Sequence, residues 1–361
     1  MKIMALHLPA YHQVPENDEW WGKGFTEWDN VRSGEIYYDG QVQPVVPYRH
    51  CYYDLSKKAD LEKQIDLANQ YGVDGFIFYH YWFGDGRQIF EKPPEMLRDC
   101  TDKKTNYCFC WANESWITTW HGKDPSTLIH QTYGNEDEWL AHIKYLLSFF
   151  RDPRYSRIEG RPVLYIYKPN EIPEYDKMIR CWDNYLERHG IGPVYLIEFI
   201  SSKNPSLHSE RSDSVMEFEP LYSTYFDINI FNKLKRVICK CLKRIDFQNY
   251  DTLWECILNR KRIYNGKKII RSCFVAWDNS PRKEKASMIV RGSSPRKFSK
   301  YLTKLLLSQR KDLSEEMTVI NAWNEWSEGA FLEPSEQLQF QYLEALRDAV
   351  KLSMHPESKT V

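Results

Sequence analysis

The sequence predicts an α/β fold, a (β/α)8 TIM barrel with long βα loops, from three observations. Short apolar runs of strand length recur along the 361 residues. Amphipathic segments of helix length lie between many of these runs, and the runs number eight. Eight repeats favour a closed barrel over an open doubly wound sheet, and one barrel can occupy a chain of this length. We therefore predict a single catalytic domain over residues 1–354 and a flexible tail over 355–361.

The predicted elements alternate along the chain as parallel strands and crossover helices do. The strands are predicted at 3–8, 75–79, 107–111, 162–167, 194–199, 214–218, 269–276 and 317–322. The clearest helical patterns lie at 57–71, 136–150, 173–189, 295–310 and 335–352. This order is typical of βαβ units and a parallel sheet.

Two long segments depart from the alternation. Residues 9–56 contain PENDEWWGKGFTEW, which is too polar and too interrupted by glycine to predict a regular element. A loop of this length in a compact domain is usually functional. Residues 220–266 predict a helical insertion after the sixth strand.

Within the insertion, residues 233–245 read KLKRVICKCLKRI and carry an apolar stripe beneath basic residues. The stripe consists of Leu234, Val237, Ile238, Cys241, Leu242 and Ile245, and the basic residues are Lys233, Lys235, Arg236, Lys240, Lys243 and Arg244. Such a helix is typical of a membrane surface or of contact with anionic lipid. The alternative is a helix packed on the barrel with a solvated basic face.

Composition narrows the class of partner. The net charge of −1 gives no general attraction to nucleic acid, so no nucleic-acid partner is expected. The aromatic fraction of 15%, with 13 Trp and 24 Tyr, suits either a large core or a surface on which sugar rings stack.

Several motif classes are missing from the sequence. The nine cysteines are scattered, which indicates reduced thiols, and the N-terminus lacks a secretory pattern, so we expect a cytoplasmic protein. No metal-ligand spacing such as HExxH occurs, and neither GxGxxG, GxxxxGK[ST] nor GxSxG is present. We therefore expect no metal and no cofactor.

Polar and aromatic residues cluster where the predicted strands end. Because barrel active sites are built from the loops at the carboxyl ends of the strands, these residues are candidates for substrate binding. The predicted sugar-binding set is His7, Tyr11, Tyr81, Trp82, Trp111, Asn113, Glu114, Trp277, Asp278 and Asn324. Two structural alternatives stay open: WANESW can pack the barrel mouth and satisfy loop amides, and WDNSPR can form a simple turn.

NAWNEWSEG, residues 321–329, follows the eighth strand and supplies the candidate catalytic pair, Glu325 and Glu328. An i, i+3 pair on a helical turn has Cβ atoms about 5–6 Å apart. Glycoside cleavage uses two carboxyl groups roughly 5–5.5 Å apart for retention or roughly 6.5–9.5 Å apart for inversion. The alternative is the acidic first turn of a surface helix. Placement after the last strand, between two tryptophans, favours the catalytic interpretation.

Five motifs carry a resemblance to a known family. YHQVPENDEWWGKGFTEWDNV, GVDGFIFYHYWF, CWANESW, AWDNSPR and NAWNEWSEGAFLEP, in this order, resemble those of the WbsX-type proteins, often described as glycoside hydrolase family 99-like. The likeness covers nearly the whole chain. WbsX-type genes are typically associated with clusters for surface polysaccharides such as O-antigen, and their products are sometimes labelled glycosyltransferases.

The resemblance to glycoside hydrolase family 99 itself rests on the last motif. That family has a (β/α)8 barrel, acts as a retaining endo-α-mannosidase and uses two glutamates in an Asn-Glu-x-x-Glu arrangement, to which residues 324–328 are similar. The resemblance implies that Glu325 is a general base that helps the sugar's own 2-hydroxyl attack the anomeric carbon. It implies that Glu328 is the general acid and then the base.

The sequence thus leaves three functional hypotheses. The first is a glycoside hydrolase-like enzyme that cleaves or transfers a glycosyl unit in a polysaccharide or a lipid-linked oligosaccharide. The second is a glycosyltransferase that uses an activated sugar donor in surface-polysaccharide synthesis. The third is a non-catalytic carbohydrate-binding protein.

Overall fold

Eight parallel strands form the centre of the protein in a computed structural model that describes residues 2–118, 126–261, 263–309 and 317–354. The predicted tail, residues 355–361, lies outside the described residues. The strands are β1 Lys2–His7, β2 Gly75–Trp82, β3 Asn106–Trp111, β4 Arg161–Ile166, β5 Tyr195–Ile200, β6 Ser214–Glu217, β7 Lys268–Phe274 and β8 Met317–Asn321.

The sheet closes on itself. Each strand pairs in parallel with the next, and β8 pairs in parallel with β1, where Lys2 lies opposite Met317 and Ala5 opposite Ile320. Gly75 starts β2 against the backbone of β3, where an added Cβ would lie 2.0 Å from the Asn106 carbonyl oxygen. The predicted (β/α)8 barrel is confirmed.

Seven helices among the described residues follow the strands as the helices of βα repeats, and a further helix, Ile230–Cys241, belongs to the segment after β6. The seven are Lys58–Tyr71, Lys92–Cys100, Glu136–Phe150, Tyr175–Arg188, Tyr250–Asn259, Pro295–Gln309 and Gln341–Met354. The last begins later than predicted because residues 335–340 form turns, in which the Gln339 N–H donates to the Ser335 carbonyl at 2.7 Å. Residues 201–213, all described, contain no helix, so β5 lacks the helix of a regular βα repeat.

The prediction that PENDEWWGKGFTEW contains no regular element is wrong. Two short helices, Pro15–Trp21 and Glu27–Arg32, lie in this segment. Pro15 stands in the first turn of one helix, where a missing N–H costs nothing. Thr26 and Asp29 form a capping box at the start of the other, which carries the buried residue Glu27.

The segment after β6 contains helices Leu221–Phe226 and Ile230–Cys241 and a strand, Asp246–Asn249, which pairs with Met288–Arg291 from the loop after β7. Helix Tyr250–Asn259 then packs on the barrel, where the Trp254 ring stacks on Tyr301 at a centroid distance of 5.6 Å. Thus 220–266 includes a barrel helix as well as additional elements. The single-domain boundaries stay a prediction.

Two further expectations concern thiols and membrane spans. All nine cysteines lie within the described residues and carry free thiols. None of the described helices combines the length and the apolar character that a membrane crossing needs.

Candidate active site

The two candidate glutamates lie on a tight turn immediately after β8. Asn324–Glu325 pairs antiparallel with Ala330–Phe331, and a single 3-10 turn, Trp326–Glu328, joins the two short strands. Gly329 closes the turn with a φ of 62°, and an added Cβ there would lie 2.7 Å from the Asp278 backbone nitrogen. The alternative of a surface-helix start is therefore wrong.

Asn324 and Tyr11 fasten this turn to the end of β1. The Leu8 N–H donates to the Asn324 side-chain oxygen at 2.8 Å, and the Asn324 amide nitrogen donates to the Leu8 carbonyl at 2.9 Å. The Tyr11 hydroxyl donates to the Asn324 backbone carbonyl at 2.6 Å. Both side chains are fully buried, so they orient Glu325 through the backbone.

One guanidinium connects both glutamates with a third carboxylate. Arg282 donates from Nη1 to Glu328 Oε1 at 3.0 Å, and its Nη2 lies 3.6 Å from Glu325 Oε2. Its Nη2 also donates to Glu27 Oε1 at 2.6 Å. Because Arg282 contacts all three groups, Glu325 and Glu328 face a common space.

The charge balance of this cluster favours retention of a proton. Three carboxylates contact the Arg282 guanidinium at a place largely removed from water, and Lys283 adds a second positive charge that acts on Glu328. The acids still outnumber the cations, and a buried negative charge without a partner is costly. Burial raises the pKa of Glu325 to about 8, against the opposing effect of Arg282. Burial also raises the pKa of Glu328 above its ordinary value. An acid and a base can therefore coexist in this pair near neutral pH.

Glu325 Oε2 is buried and makes no hydrogen bond within the described part of the chain. Burial raises the pKa of Tyr79, Tyr81 and Tyr167 well above the ordinary tyrosine value, and the Glu325 charge adds to the rise at each. Neutral tyrosine hydroxyls therefore lie within the field of Glu325. An acceptor oxygen that lacks a hydrogen bond from the described residues and lies near neutral hydroxyls suits a hydroxylated ligand.

The WANESW residues start at the last residue of β3 and continue into the loop after it. Glu114 makes ion pairs, and Asn113 makes hydrogen bonds to the backbone of the next loop. Glu114 Oε2 lies 2.8 Å from the Lys168 ammonium and 3.6 Å from the Lys203 ammonium. The fully buried Asn113 side chain accepts from the Lys168 N–H at 2.8 Å and donates to the Lys168 carbonyl at 2.8 Å. Asn113 thus joins the loops after β3 and β4. The Glu114 charge also contributes to the raised pKa of Tyr167, which places this carboxylate at the same end of the barrel.

Three predicted sugar-binding residues point toward the helix layer. His7 Nε2 contacts the Gln64 side chain on helix Lys58–Tyr71 at 3.0 Å. The Trp82 ring stacks on His142 of helix Glu136–Phe150 at 4.6 Å, and the Trp111 ring N–H donates to the Trp82 carbonyl. Because side chains alternate along a strand, these positions face outward while Tyr79 and Tyr81 face the site. The structure thus places His7, Trp82 and Trp111 in packing layers.

WDNSPR combines a turn with site residues. Trp277 is buried in the core. Asp278 accepts hydrogen bonds from Gln41 at 2.8 Å and from the Ser280 backbone at 3.0 Å. These bonds hold the loop after β7 against the N-terminal loop and set the position of Arg282.

Arg282 and Glu27 were not predicted as site residues. Arg282 stands inside the quoted AWDNSPR motif, so its presence in a strand-end loop was the available signal. Glu27 likewise stands inside the quoted motif YHQVPENDEWWGKGFTEWDNV, but the sequence could not show that it meets Arg282, which lies 255 positions away along the chain. Tyr79 ends the predicted second strand and lies within β2, and Tyr167 directly follows β4, so their position was a weaker signal of the same kind.

Another buried carboxylate, Glu333, contacts the residues on both sides of Glu325. It accepts hydrogen bonds from the indole N–H groups of Trp323 at 3.0 Å and Trp326 at 2.7 Å, and from Tyr53 at 2.8 Å and Gln64 at 2.7 Å. Burial raises the pKa of Glu333 to about 7, although these donors oppose the rise. Glu333 therefore orients the tryptophans on both sides of Glu325.

We expect Glu333→Gln to weaken the pH dependence of stability. The folded pKa lies above the ordinary value, so the folded protein holds a proton that the unfolded chain releases, and stability falls as pH rises from about 5 to 8. Urea unfolding at both pH values should give a smaller difference in the variant than in the wild type. The exposed Glu344→Gln is the matched control. An unchanged difference in Glu333→Gln would contradict the prediction.

The fold and the site together define a (β/α)8 barrel protein with a buried, arginine-bridged glutamate pair at the carboxyl ends of its strands. The sequence profile of the family described as glycosyltransferase WbsX matches residues 3–346. The chain belongs to this family of carbohydrate-active proteins, as its motifs predicted.

Two sequence relatives match nearly the whole of this chain. An uncharacterized protein, WxcX of Xanthomonas campestris pv. campestris, is 33% identical over 352 residues, which is 96% of this chain and 49% of that protein. WxcX of a second strain matches equally. The chain therefore spans about half the length of the curated relatives that it matches.

Two solved structures are also similar. A glycoside hydrolase-like protein superposes with a TM-score of 0.56 at 13% identity, covering 96% of this chain and 93% of that chain. The family 99 endo-α-mannosidase of Bacteroides thetaiotaomicron superposes with a TM-score of 0.55 at 15% identity, covering 99% and 98%. At these identities the likeness shows the shared barrel and carries no residue roles.

Proposed function

We propose that this chain is a retaining enzyme that cleaves or transfers a glycosyl unit within a polysaccharide or a lipid-linked oligosaccharide. The observation that carries the proposal is the buried Glu325 Oε2, which lacks a protein hydrogen-bond partner in the described residues and lies 3.6 Å from Arg282 Nη2. A hydroxyl group of a bound sugar would satisfy this oxygen. Membership in a carbohydrate-active family supports a saccharide substrate, and the barrel shared with a family 99 enzyme is compatible with it.

The proposed reaction uses the two glutamates in separate roles. Burial raises the pKa of Glu325 to about 8, so near neutral pH only a fraction of the molecules carries Glu325 as the carboxylate, and this is the reactive form. In it, Glu325 takes the proton of the 2-hydroxyl while that oxygen attacks the anomeric carbon. Glu328, as a carboxylic acid, gives its proton to the leaving glycosidic oxygen, and the bond to the anomeric carbon breaks. Water or an acceptor hydroxyl then attacks the anomeric carbon and loses its proton to Glu328, while the bond between the anomeric carbon and O2 breaks and Glu325 returns its proton to O2. Two inversions give net retention.

Arg282 supports both steps by its position. It opposes the rise in pKa at Glu325 and Glu328, so one of the two can lose its proton while the other keeps it. Tyr79, Tyr81 and Tyr167 present neutral hydroxyls at the same end of the barrel. Glu114, held between Lys168 and Lys203, is placed to bind sugar hydroxyl groups away from the reacting bond.

The 2-hydroxyl route has a direct test. We expect an α-mannoside, with its axial 2-hydroxyl, to be turned over with retention when the first product anomer is followed by NMR. The matching 2-deoxy-α-mannoside should be inert, because it lacks the internal nucleophile. Turnover of the 2-deoxy substrate at a similar rate would sink the proposed route, and inversion would exclude it.

The glycosyltransferase hypothesis keeps one specific support, the description of the family itself. The nucleotide-binding motifs named above are missing from the sequence. Calorimetry with a panel of nucleotide sugars distinguishes the two enzymes, because only a transferase that uses such a donor should bind one. A non-catalytic binding protein would bind saccharides without turnover, and its two glutamates would titrate in the ordinary carboxyl range.

Removal of the Glu27 carboxylate should move the pH profile of kcat/KM. The Glu27 charge raises the pKa of both Glu325 and Glu328. Glu27→Gln removes that charge, and the charge of Arg282 is then shared by Glu325 and Glu328 alone. The pKa values of both glutamates should therefore fall. The pH profile of kcat/KM should therefore move to lower pH. A shift to higher pH would contradict this account of the cluster.

A further inference from the structure

Helix Ile230–Cys241 contains no buried residue, although its sequence has a continuous apolar stripe. Of the stripe residues, Leu234 is exposed by 59%, Val237 by 57%, Ile238 by 49% and Leu242 by 57%, and Ile230 (72%) and Phe231 (79%) extend the exposed stripe to the start of the helix. Cys241 is also exposed, and Ile245, which follows the helix, is half-buried. Single exposed apolar residues are ordinary on a protein surface. Six that follow one another on a helix face form a patch that indicates a contact.

The helix attaches to the rest of the protein through polar side chains. Lys233 donates to the Phe226 carbonyl at 2.9 Å. The Arg236 guanidinium lies 4.0 Å above the Tyr225 ring and 3.7 Å from the Asp246 carboxylate. An amphipathic helix on a protein surface usually packs its apolar face on the core, whereas this helix makes its contacts with basic side chains. This contradicts the alternative of a helix packed on the barrel with a solvated basic face.

The charges around the stripe have one sign. Lys235, Lys240, Lys243 and Arg244 are exposed, and residues 230–245 include neither Asp nor Glu. Basic side chains beside an exposed apolar stripe match a surface that is negatively charged outside and apolar beneath. An anionic phospholipid bilayer has this layering, and each Lys or Arg near such a surface adds to the attraction.

The helix and the candidate site belong to the same end of the barrel. The helix lies in the connection that leaves the carboxyl end of β6, and the loop that leaves the carboxyl end of β5 carries Lys203, which pairs with Glu114. Tyr225 joins the two connections, since its side chain interacts with both Ser202 and Arg236.

We propose that helix Ile230–Cys241 binds peripherally to an anionic phospholipid surface, with the apolar stripe inserted between headgroups and Lys240, Lys243 and Arg244 at the phosphates. This contact brings the carboxyl end of the barrel toward the bilayer. It does not depend on the proposed chemistry, because vesicle binding is measured without turnover.

The test is flotation of the full chain with vesicles of phosphatidylcholine alone and of phosphatidylcholine with about 30% phosphatidylglycerol. The wild type should float with the anionic vesicles, and 0.5 M NaCl should reduce the bound fraction. Phe231→Ser/Leu234→Ser and Lys240→Glu/Lys243→Glu should each lower partitioning about tenfold or more. Exposed residues are changed in both variants, so circular dichroism should match the wild type.

Matched controls lie elsewhere on the surface. Ile36→Ser/Val42→Ser changes two other exposed apolar residues, and Lys144→Glu/Lys304→Glu changes two other exposed lysines. Both should float like the wild type. Failure of the wild type to float with anionic vesicles at low salt overturns the proposal, and so does equal binding to both vesicle types. A dimer that Phe231→Ser/Leu234→Ser dissociates, without vesicle binding, assigns the stripe to a second copy and also overturns it.

Discussion

Glu328→Gln should lower kcat by a factor on the order of 10²–10⁴, the contribution of one positioned acid–base group. Gln keeps the shape of the side chain and can still hydrogen-bond, but it cannot give a proton to the leaving oxygen. Saccharide binding should persist, because the tyrosine hydroxyls and Glu114 are unchanged. A substrate with an activated aryl leaving group should recover much of the lost rate in the first step, since that leaving group needs little protonation.

Glu325→Gln should lower kcat by a similar factor on every substrate. The substrate with the activated leaving group should not recover the rate, because the 2-hydroxyl still lacks its base. The difference between the two variants on aryl and natural glycosides is thus diagnostic of their roles. Rates measured under saturating substrate, with binding measured separately by calorimetry, give the comparison. Glu344→Gln, at an exposed position on the last helix, should match the wild type. Turnover that persists in Glu328→Gln on a natural glycoside would refute the assignment.

Arg282→Met should destabilise the protein by about 3–5 kcal/mol at neutral pH, the usual cost of removing one partner from a buried ion pair. Without the guanidinium, Glu27, Glu325 and Glu328 are left in a buried site with less compensation. The three carboxyls must then keep more protons, and their pKa values should rise further. The loss of stability should therefore be larger at pH 8 than at pH 5, because protonation at low pH removes the repulsion.

Urea unfolding at the two pH values measures this effect. Arg282→Lys retains a positive charge but lacks the planar fork that reaches several carboxylates, so its loss should be intermediate. The double variant Glu27→Gln/Arg282→Met should be more stable than Arg282→Met alone, since one of the uncompensated acids is gone. A loss for Arg282→Met that is the same at pH 5 and pH 8 would show that packing, not charge, explains it.

The sequence by itself determined the barrel and the family, and it predicted the place of the candidate site. Strand-length apolar runs repeated eight times are a local signal, and the carboxyl ends of parallel strands must meet at one face. NAWNEWSEG could therefore be assigned to that face from its position after β8. Secondary structure was harder to predict where local sequence signals conflict. Proline and acidic residues in the first turn favour the helix Pro15–Trp21, but the polar, glycine-interrupted segment around it indicates a loop.

Only the tertiary structure decided which side chains share the site. Alternation along β2 directs Tyr79 and Tyr81 inward and Trp82 toward the helices, and a shift of one residue in register would exchange them. Arg282 meets Glu27 across 255 positions of sequence, a contact that exists because two loops fold over the end of the barrel. The raised pKa values of Glu325 and Glu328 follow from burial and from this assembly of charges, which no local pattern encodes. The same reason applies to helix Ile230–Cys241: its stripe is visible in the sequence, but whether the barrel covers it depends on packing.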